Sequence, residues 1–331
     1  MSQKIAITGG AGFLGSHVVD HFVDAGEETI VVDDFSEGTR ENLSKSIDDP
    51  NCSVREVDLT EREETFEAFE GVDIVVHLAA KIGGIGYFHD VPADIIALND
   101  AMTRNVLDAA LREDMDRIVY ASSSMVYERA TEFPVTEEQV GEVPPPASAY
   151  GYQKLTGEYY CRAYHDQYDV DYSIFRPFNA VGPREPPGEE VGQAHVIPDF
   201  VKKIIDEKQY PLEILGNGRQ IRAFTHVSDI AAGIHACAHR SEALNNDFNL
   251  GSTDGIEMRE LAEKIWHRSD REQEIAFEME DSFEHDVQKR IPDSSKAKEL
   301  LDWEPSVTLE EALDEYIDWY RGEELEDDID E

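Results

Sequence analysis

The chain opens on a short apolar run, Lys4-Ile5-Ala6-Ile7-Thr8, that breaks into Gly9-Gly10-Ala11-Gly12-Phe13-Leu14-Gly15 and resumes as a helical pattern through Phe22. Strand, glycine turn and helix in that order are the entry of a parallel α/β sheet with a dinucleotide crevice. Gly9 permits the tight turn, Gly12 lets backbone approach a pyrophosphate, and Gly15 lets the helix lie close to the sheet. The helix N-terminus at Phe13 and Leu14 then holds phosphates without a basic side chain. A second strand, Glu28–Val32, runs into Asp33-Asp34, with Asp33 18 residues past Gly15. An acid there accepts hydrogen bonds from the adenosine ribose hydroxyls and repels a 2′-phosphate, which favours NAD over NADP. Arg40 stands near enough to temper that preference.

The alternation of strand and helix continues. Ser53–Val57 leads into Asp58-Leu59, placed to meet the adenine edge. Asp73–Leu78 is nearly all apolar, as expected of a strand covered on both faces. It opens into Leu78-Ala79-Ala80-Lys81, where backbone must approach a cofactor, and then into Gly83-Gly84-Ile85-Gly86. A helix is expected over 92–112. Its Asn99 and Asn105 read either as polar contacts beneath the cofactor or as cap and crossing residues. The next strand starts at Arg117 and ends in Ser122-Ser123-Ser124.

Past Pro144-Pro145-Pro146 comes Ala149-Tyr150-Gly151-Tyr152-Gln153-Lys154 and an amphipathic helix to about His165. Tyr150 and Lys154 are four apart and share a helix face. The ammonium can lower the phenol pKa by proximity and also hold a nicotinamide ribose. Tyr150 then serves as base toward a sugar hydroxyl or acid toward a ketone, with Ser123 hydrogen-bonding the same oxygen. Many surface helices carry a bare Tyr-x-x-x-Lys pair; the glycine turn and the serine-rich strand end before it give this one chemical meaning.

Charge limits the partners. Asp and Glu total 72 against 29 Lys and Arg, a formal net charge of −43. Such a field repels nucleic acid and anionic membranes, so neither is an expected partner. It also repels an anionic substrate, whose site must supply local cations. Self-repulsion on this scale is tolerable where salt screens it, with a Debye length of roughly 3 Å at 1 M, and the expected setting is a high-salt cytoplasm. Cys52, Cys161 and Cys237 are too scattered for a disulfide framework. No compact His/Cys set has metal-ligand spacing, so no metal is expected. A signal-peptide pattern and an apolar window of membrane-spanning length are both missing, and a soluble, cytoplasmic protein is expected.

Taken together, Thr8–Gly15, His77–Lys81, Ser122–Tyr127, Tyr150–Lys154, Arg176-Pro177-Phe178-Asn179, Gly216–Arg222 and Ser294–Pro305 resemble the extended short-chain dehydrogenases/reductases of the NAD-dependent epimerase/dehydratase family. The resemblance covers the chain apart from its acidic tail. It implies a doubly wound parallel sheet of the Rossmann type, mainly residues 1–175, that binds NAD. It also implies a smaller C-terminal lobe, mainly 176–322 with segments returning to the sheet, that binds a sugar nucleotide such as a UDP- or GDP-hexose. Residues 323–331 are then a disordered tail. The family usually forms homodimers through a four-helix bundle, to which the helices near 94–112 and 150–166 would contribute.

The same resemblance assigns roles in the substrate lobe. Phe178 would flank the nicotinamide, Asn179 would contact the substrate diphosphate, and Arg222 would bind its phosphates. His195 would face the sugar or diphosphate, or else cap the helix that follows it. Asp229 and Trp303 read as structural. Lys81–Tyr87 is similar to the matching loop of GDP-mannose 3,5-epimerase and GDP-L-fucose synthase, and His195 falls where the fucose synthase has its histidine and the mannose enzyme a lysine.

Departures narrow the reaction. At Ser124 and Met125 the family's 4,6-dehydratases carry Asp and Glu, and at Met125 the two GDP-sugar enzymes carry a cysteine. Methionine has no ionisable proton to exchange. Dehydration is therefore not expected, and C3/C5 proton exchange would need a substitute for the thiol. Ser123, Tyr150, Lys154 and NAD still suffice for oxidation and re-reduction at C4. A 4-epimerase is the expectation, with a 4-keto reductase and a 3,5-epimerase-like enzyme as alternatives. Phe283 replaces an arginine that reaches the diphosphate in many 4-epimerases, and Arg290 is the candidate to compensate.

Overall fold

The computed structural model describes residues 3–81, 91–188, 195–281 and 287–327. The loop around Gly83–Tyr87 and Phe283 lie outside the described residues.

The first half of the chain alternates strand and helix. It contains β1 (Lys4–Thr8), α1 (Phe13–Asp24), β2 (Glu28–Asp33), β3 (Cys52–Glu56), α2 (Arg62–Ala68), β4 (Ile74–His77), α3 (Pro92–Glu113), β5 (Arg117–Ala121), α4 (Ala149–Tyr168) and β6 (Tyr172–Pro177). The second half contains β7 (Ala180–Val181), α5 (Val196–Val201), β8 (Leu212–Leu215), β9 (Ile221–Ala223), β10 (Thr225–His226), α6 (Val227–His239), β11 (Asn246–Leu250), β12 (Gly255–Glu257), α7 (Met258–Trp266), β13 (Phe277–Glu280), β14 (Lys289–Arg290), α8 (Ser295–Leu301) and α9 (Leu309–Asp327).

Seven strands form one parallel sheet in the order β11-β6-β5-β4-β1-β2-β3. The chain winds outward from β1 to β3, then crosses back to lay β4 beside β1. That reversal leaves a crevice at the C-terminal ends of β1 and β4, where ligands of open α/β sheets bind. Successive side chains of a strand serve opposite faces. Ile5, Ile7, Val31 and Val76 therefore pack in the core that holds α1 and α6. Ala6, Ile30, Val32 and Val75 pack in the other, with α2, α3 and α4. The expected doubly wound sheet is present.

The smaller lobe has its own core, in which Phe200, Leu212, Ile214, Phe224, Leu261, Ile265, Leu313 and Tyr316 are buried. Three small sheets frame it: β10-β7, β12-β9-β14 and β13-β8. One departure from regular helix follows α5: the helix after His195 gives way past Val201 to a wider five-residue π-type turn, Lys202–Asp206. A second departure lies at the end of the chain. A disordered tail was expected from Glu323, yet α9 continues to Asp327. Glu and Leu are good helix formers, and no glycine or proline interrupts Glu323–Asp327. Among the described residues no helix is long and apolar enough to cross a membrane.

Candidate active site

A cavity of about 1100 Å³ lies between the C-terminal edge of the sheet and the smaller lobe. Its sheet side is built on the glycine turn. Gly9 has φ +66, and a Cβ there would stand 2.8 Å from the Ala79 nitrogen, so β1 and β4 can approach only with glycine in that place. A Cβ on Gly15 would run into the Gly9 carbonyl. Gly12 differs: its φ of −76 suits any residue, and a Cβ would meet only the Gly9 oxygen at 3.4 Å. Gly12 faces the cavity with Phe13, Leu14 and the first turn of α1. The space a side chain would fill there is open to a ligand, and this fits the approach of a pyrophosphate.

Asp33 ends β2 beside that turn, nearly buried. Its carboxylate accepts the N–H groups of Ala11 and Phe35, both at 2.9 Å. Burial raises its pKa, and the two backbone hydrogen bonds work against that. Asp33 thus fixes the glycine loop, a role not legible from spacing, while still lining the cavity with Asp34, Asp58 and Leu59. Arg40 is turned away from any tempering role: it pairs with Glu56 at 3.0 Å and lies over the Phe35 ring.

Leu78, Ala79, Ala80 and Lys81 line the cavity; Asn99 does not. Buried on α3, Asn99 accepts the Lys81 N–H at 2.6 Å and donates to the Lys81 carbonyl at 3.1 Å. Asn105 donates to the carbonyls of Leu59 and Thr60. Both asparagines support the loops that face the cofactor crevice and do not reach into it. Phe178, expected beside the nicotinamide, is fully buried against Tyr127 and is not part of the cavity wall; its neighbours Pro177 and Asn179 are.

Ser123, Tyr150 and Lys154 meet at the cavity floor. Ser148 caps α4 by accepting the Gly151 N–H, which places Tyr150 in the first turn. Burial pushes the Tyr150 phenol up to about 12, opposed by a hydrogen bond from Ser123 and by the charge of Arg290. Lys154 was expected to lower that phenol; instead its ammonium donates to the Ala121 carbonyl at 2.9 Å and stands 5.9 Å from the Tyr150 ring centre. Burial holds Lys154 itself down at about 8. The groups that favour the phenolate here are therefore Ser123 and Arg290.

Arg290 comes from β14, which runs parallel to β9 with Arg290 opposite Arg222. Two guanidinium groups thus enter the cavity side by side. Arg290 approaches the Met125 sulfur at 2.8 Å and the Asn179 side-chain oxygen at 3.4 Å. Ser124 and Met125 line the wall beside Tyr150. His195 stands at the N-cap of α5 but makes no capping hydrogen bond; its ring pairs with Glu185, whose charge raises the histidine pKa. Arg184 and Lys203, not singled out from the sequence, add further positive charge to the wall. An anionic ligand thus meets local cations despite the net charge of the chain.

Beneath the floor lies a buried network that the sequence did not reveal. Glu158, one turn past Lys154, forms a two-pronged pair with Arg176 at 2.7 Å on each prong. Arg176 also reaches Asp247 and the Tyr127 hydroxyl, and Ser122 donates to Glu158. The available signal was an arginine within the wholly or nearly buried strand Tyr172–Pro177 and a glutamate eight residues past Tyr150. Asp229 and Trp303 are structural as expected: Asp229 holds Ser306 and Val307, and the Trp303 ring donates to the Asp229 carbonyl.

Known proteins of similar sequence and shape carry the same architecture. UDP-glucuronic acid decarboxylase 1 of Arabidopsis thaliana is 34% identical over 98% of this chain and 71% of its own length. A putative UDP-glucose 4-epimerase of Methanocaldococcus jannaschii is 32% identical over 96% of this chain and 98% of its own. The crystal structure of UDP-glucose 4-epimerase of Thermotoga maritima with UDP-glucose superposes with a TM-score of 0.86 at 29% identity, covering 97% of this chain and 99% of that one. The pattern of one family matches residues 5–251, which include the glycine turn, nearly all of the parallel sheet and α4. The chain belongs to the NAD dependent epimerase/dehydratase family.

Proposed function

We propose that this protein is a sugar-nucleotide 4-epimerase, which oxidises C4 of a UDP- or GDP-hexose and reduces it again from the other face. The observation that carries the reading is the set of groups around Tyr150. Ser123 and Arg290 support proton transfer at the Tyr150 oxygen, while Met125, where relatives exchange carbon-bound protons, has none to give. When bound, NAD would supply reversible hydride chemistry at C4. Gly12 and the first turn of α1 would hold its pyrophosphate, Asp33 its ribose hydroxyls, and Lys154 its nicotinamide ribose. Tyr150 takes the proton of the C4 hydroxyl as hydride leaves, and Ser123 keeps that oxygen in place. Arg222 and Asn179 retain the diphosphate while the 4-keto sugar turns. Tyr150 then gives its proton back to the new alcohol. No carbon acid is ionised at any step.

Arg290 supports a second reading. Its guanidinium, beside Tyr150 and Met125, suits a carboxylate at carbon 6. A 4-keto uronic acid is a β-keto acid, so oxidation at C4 would let the C5–C6 bond break and release carbon dioxide. The 34% identical plant relative is named for such a decarboxylation. Separate incubations with UDP-glucose, UDP-glucuronic acid and GDP-mannose in molar KCl, with products resolved by NMR, test both. A C4-inverted hexose with no net NADH supports the epimerase. Pentose and carbon dioxide from the uronic acid alone support the decarboxylase. Stoichiometric consumption of added NADH by a 4-keto sugar nucleotide would replace both with a reductase.

The same reading pairs two copies through α3 and α4. Tyr152 and Tyr159 are two turns apart on α4, 50% and 65% exposed, and supply apolar area that a partner helix would cover. Light scattering should give twice the 37.3 kDa chain mass, and Tyr159→Asp should shift the protein toward monomer. A wild-type monomer at micromolar concentration would contradict the pairing.

A further inference from the structure

His235 and His239 are one turn apart on α6, on the side of the molecule away from the cavity. Both direct Nε2 at Glu27, in the turn between α1 and β2. His235 Nε2 lies 2.8 Å from one carboxylate oxygen and His239 Nε2 lies 3.1 Å from the other. The two imidazole centres are 4.5 Å apart, and the three ligand atoms all lie within 4.8 Å of one another. From α1, His21 packs edge-on against His235 with ring centres 5.1 Å apart.

A metal would replace the protons that His235 and His239 now share with Glu27 through Nε2. The side chains are partly open to solvent, 20% for Glu27, 28% for His235 and 29% for His239. An ion and its remaining waters can therefore reach them.

Imidazoles at i and i+4 on one helix face, with a carboxylate between them, form a donor set for a divalent transition metal. Magnesium and calcium prefer all-oxygen sites and are the weaker fit. We propose that Glu27, His235 and His239 bind one zinc-class divalent cation. The site joins the end of α1, the entry to β2 and the end of α6. It therefore lies at the opposite edge of the sheet from the cavity and would act as a staple between elements, not in the sugar chemistry. Sequence spacing concealed it, because Glu27 and His235 are 208 positions apart.

The test uses the full chain, stripped of metal with a chelator and held in KCl with excess magnesium to occupy exposed carboxylates. Zinc is titrated by calorimetry, and cobalt(II) by visible absorption. The expected result is one saturable zinc equivalent, an unfolding midpoint raised by several degrees at saturation, and a nitrogen-ligated cobalt spectrum. His235→Gln/His239→Gln should weaken zinc binding about tenfold or more while sugar-nucleotide turnover stays unchanged. Zinc affinity equal in that double variant, or no saturable binding over magnesium, would overturn the site. An all-oxygen cobalt spectrum on the wild-type protein would also overturn it, without reliance on any variant.

Discussion

Gly12 and Gly15 are both glycines of one turn, yet different neighbours require them. A side chain at Gly15 collides with protein backbone, whereas one at Gly12 meets open cavity. Gly12→Ala should therefore leave unfolding within about 0.5 kcal/mol of wild type but weaken NAD affinity about tenfold or more, a loss of about 1.4 kcal/mol; denaturant titration and calorimetry separate the two effects. Tyr150 gives a second residue-scale expectation. Its phenol is pushed up by burial and drawn down by Ser123 and Arg290. Removing either favourable group raises the pKa, so the Tyr150 phenolate forms at higher pH. The alkaline-side rise in kcat/KM should move to higher pH in Ser123→Ala and Arg290→Gln, and an unmoved profile would remove Tyr150 as the titrating base.

The pair Glu158–Arg176 ties α4, which carries Tyr150 and Lys154, to β6, and through Asp247 to β11. Both side chains are fully buried, so removing Glu158 breaks the two-pronged pair and leaves the Arg176 guanidinium with Asp247 as its remaining carboxylate. Glu158→Gln should destabilise the fold by about 3 kcal/mol, the low end for breaking a buried pair, as measured by urea unfolding at constant KCl. At this scale the sequence was most readable where apolar patterning and glycines agree: β1, β2, β4, β5, α3 and α4 lie where the pattern put them. β11 was not read, because Asn246-Asp247-Phe248-Asn249-Leu250 lacks an apolar run and becomes a strand through pairing with β6. The two-residue strands β7, β10 and β14 are likewise products of tertiary pairing, and with them went the placement of Arg290 beside Arg222. Asp33 lines the cavity but also fixes the glycine loop, while Asn99 and Phe178 lie behind the cavity wall, since a motif gives position and not which face a side chain presents.

The whole molecule carries a net charge of −43, and a few of its cations face the cavity. Arg184, Lys203, Arg222 and Arg290 line it together with acids such as Asp33, Glu185 and Asp199, while the excess acids across the chain repel one another. Screening shortens from about 10 Å at 0.1 M salt to about 3 Å at 1 M, so the unfolding midpoint should climb steadily as KCl is raised over that range. A midpoint that stays flat or falls would remove self-repulsion as a determinant of stability. The central claim is that C4 is oxidised and re-reduced with no carbon acid ionised. It is tested most directly by running the reaction in deuterium oxide and examining the product hexose by NMR and mass spectrometry. An inverted C4 bearing its original hydrogen, with no deuterium on the carbon skeleton, is the expected result; deuterium at C3 or C5 would contradict it.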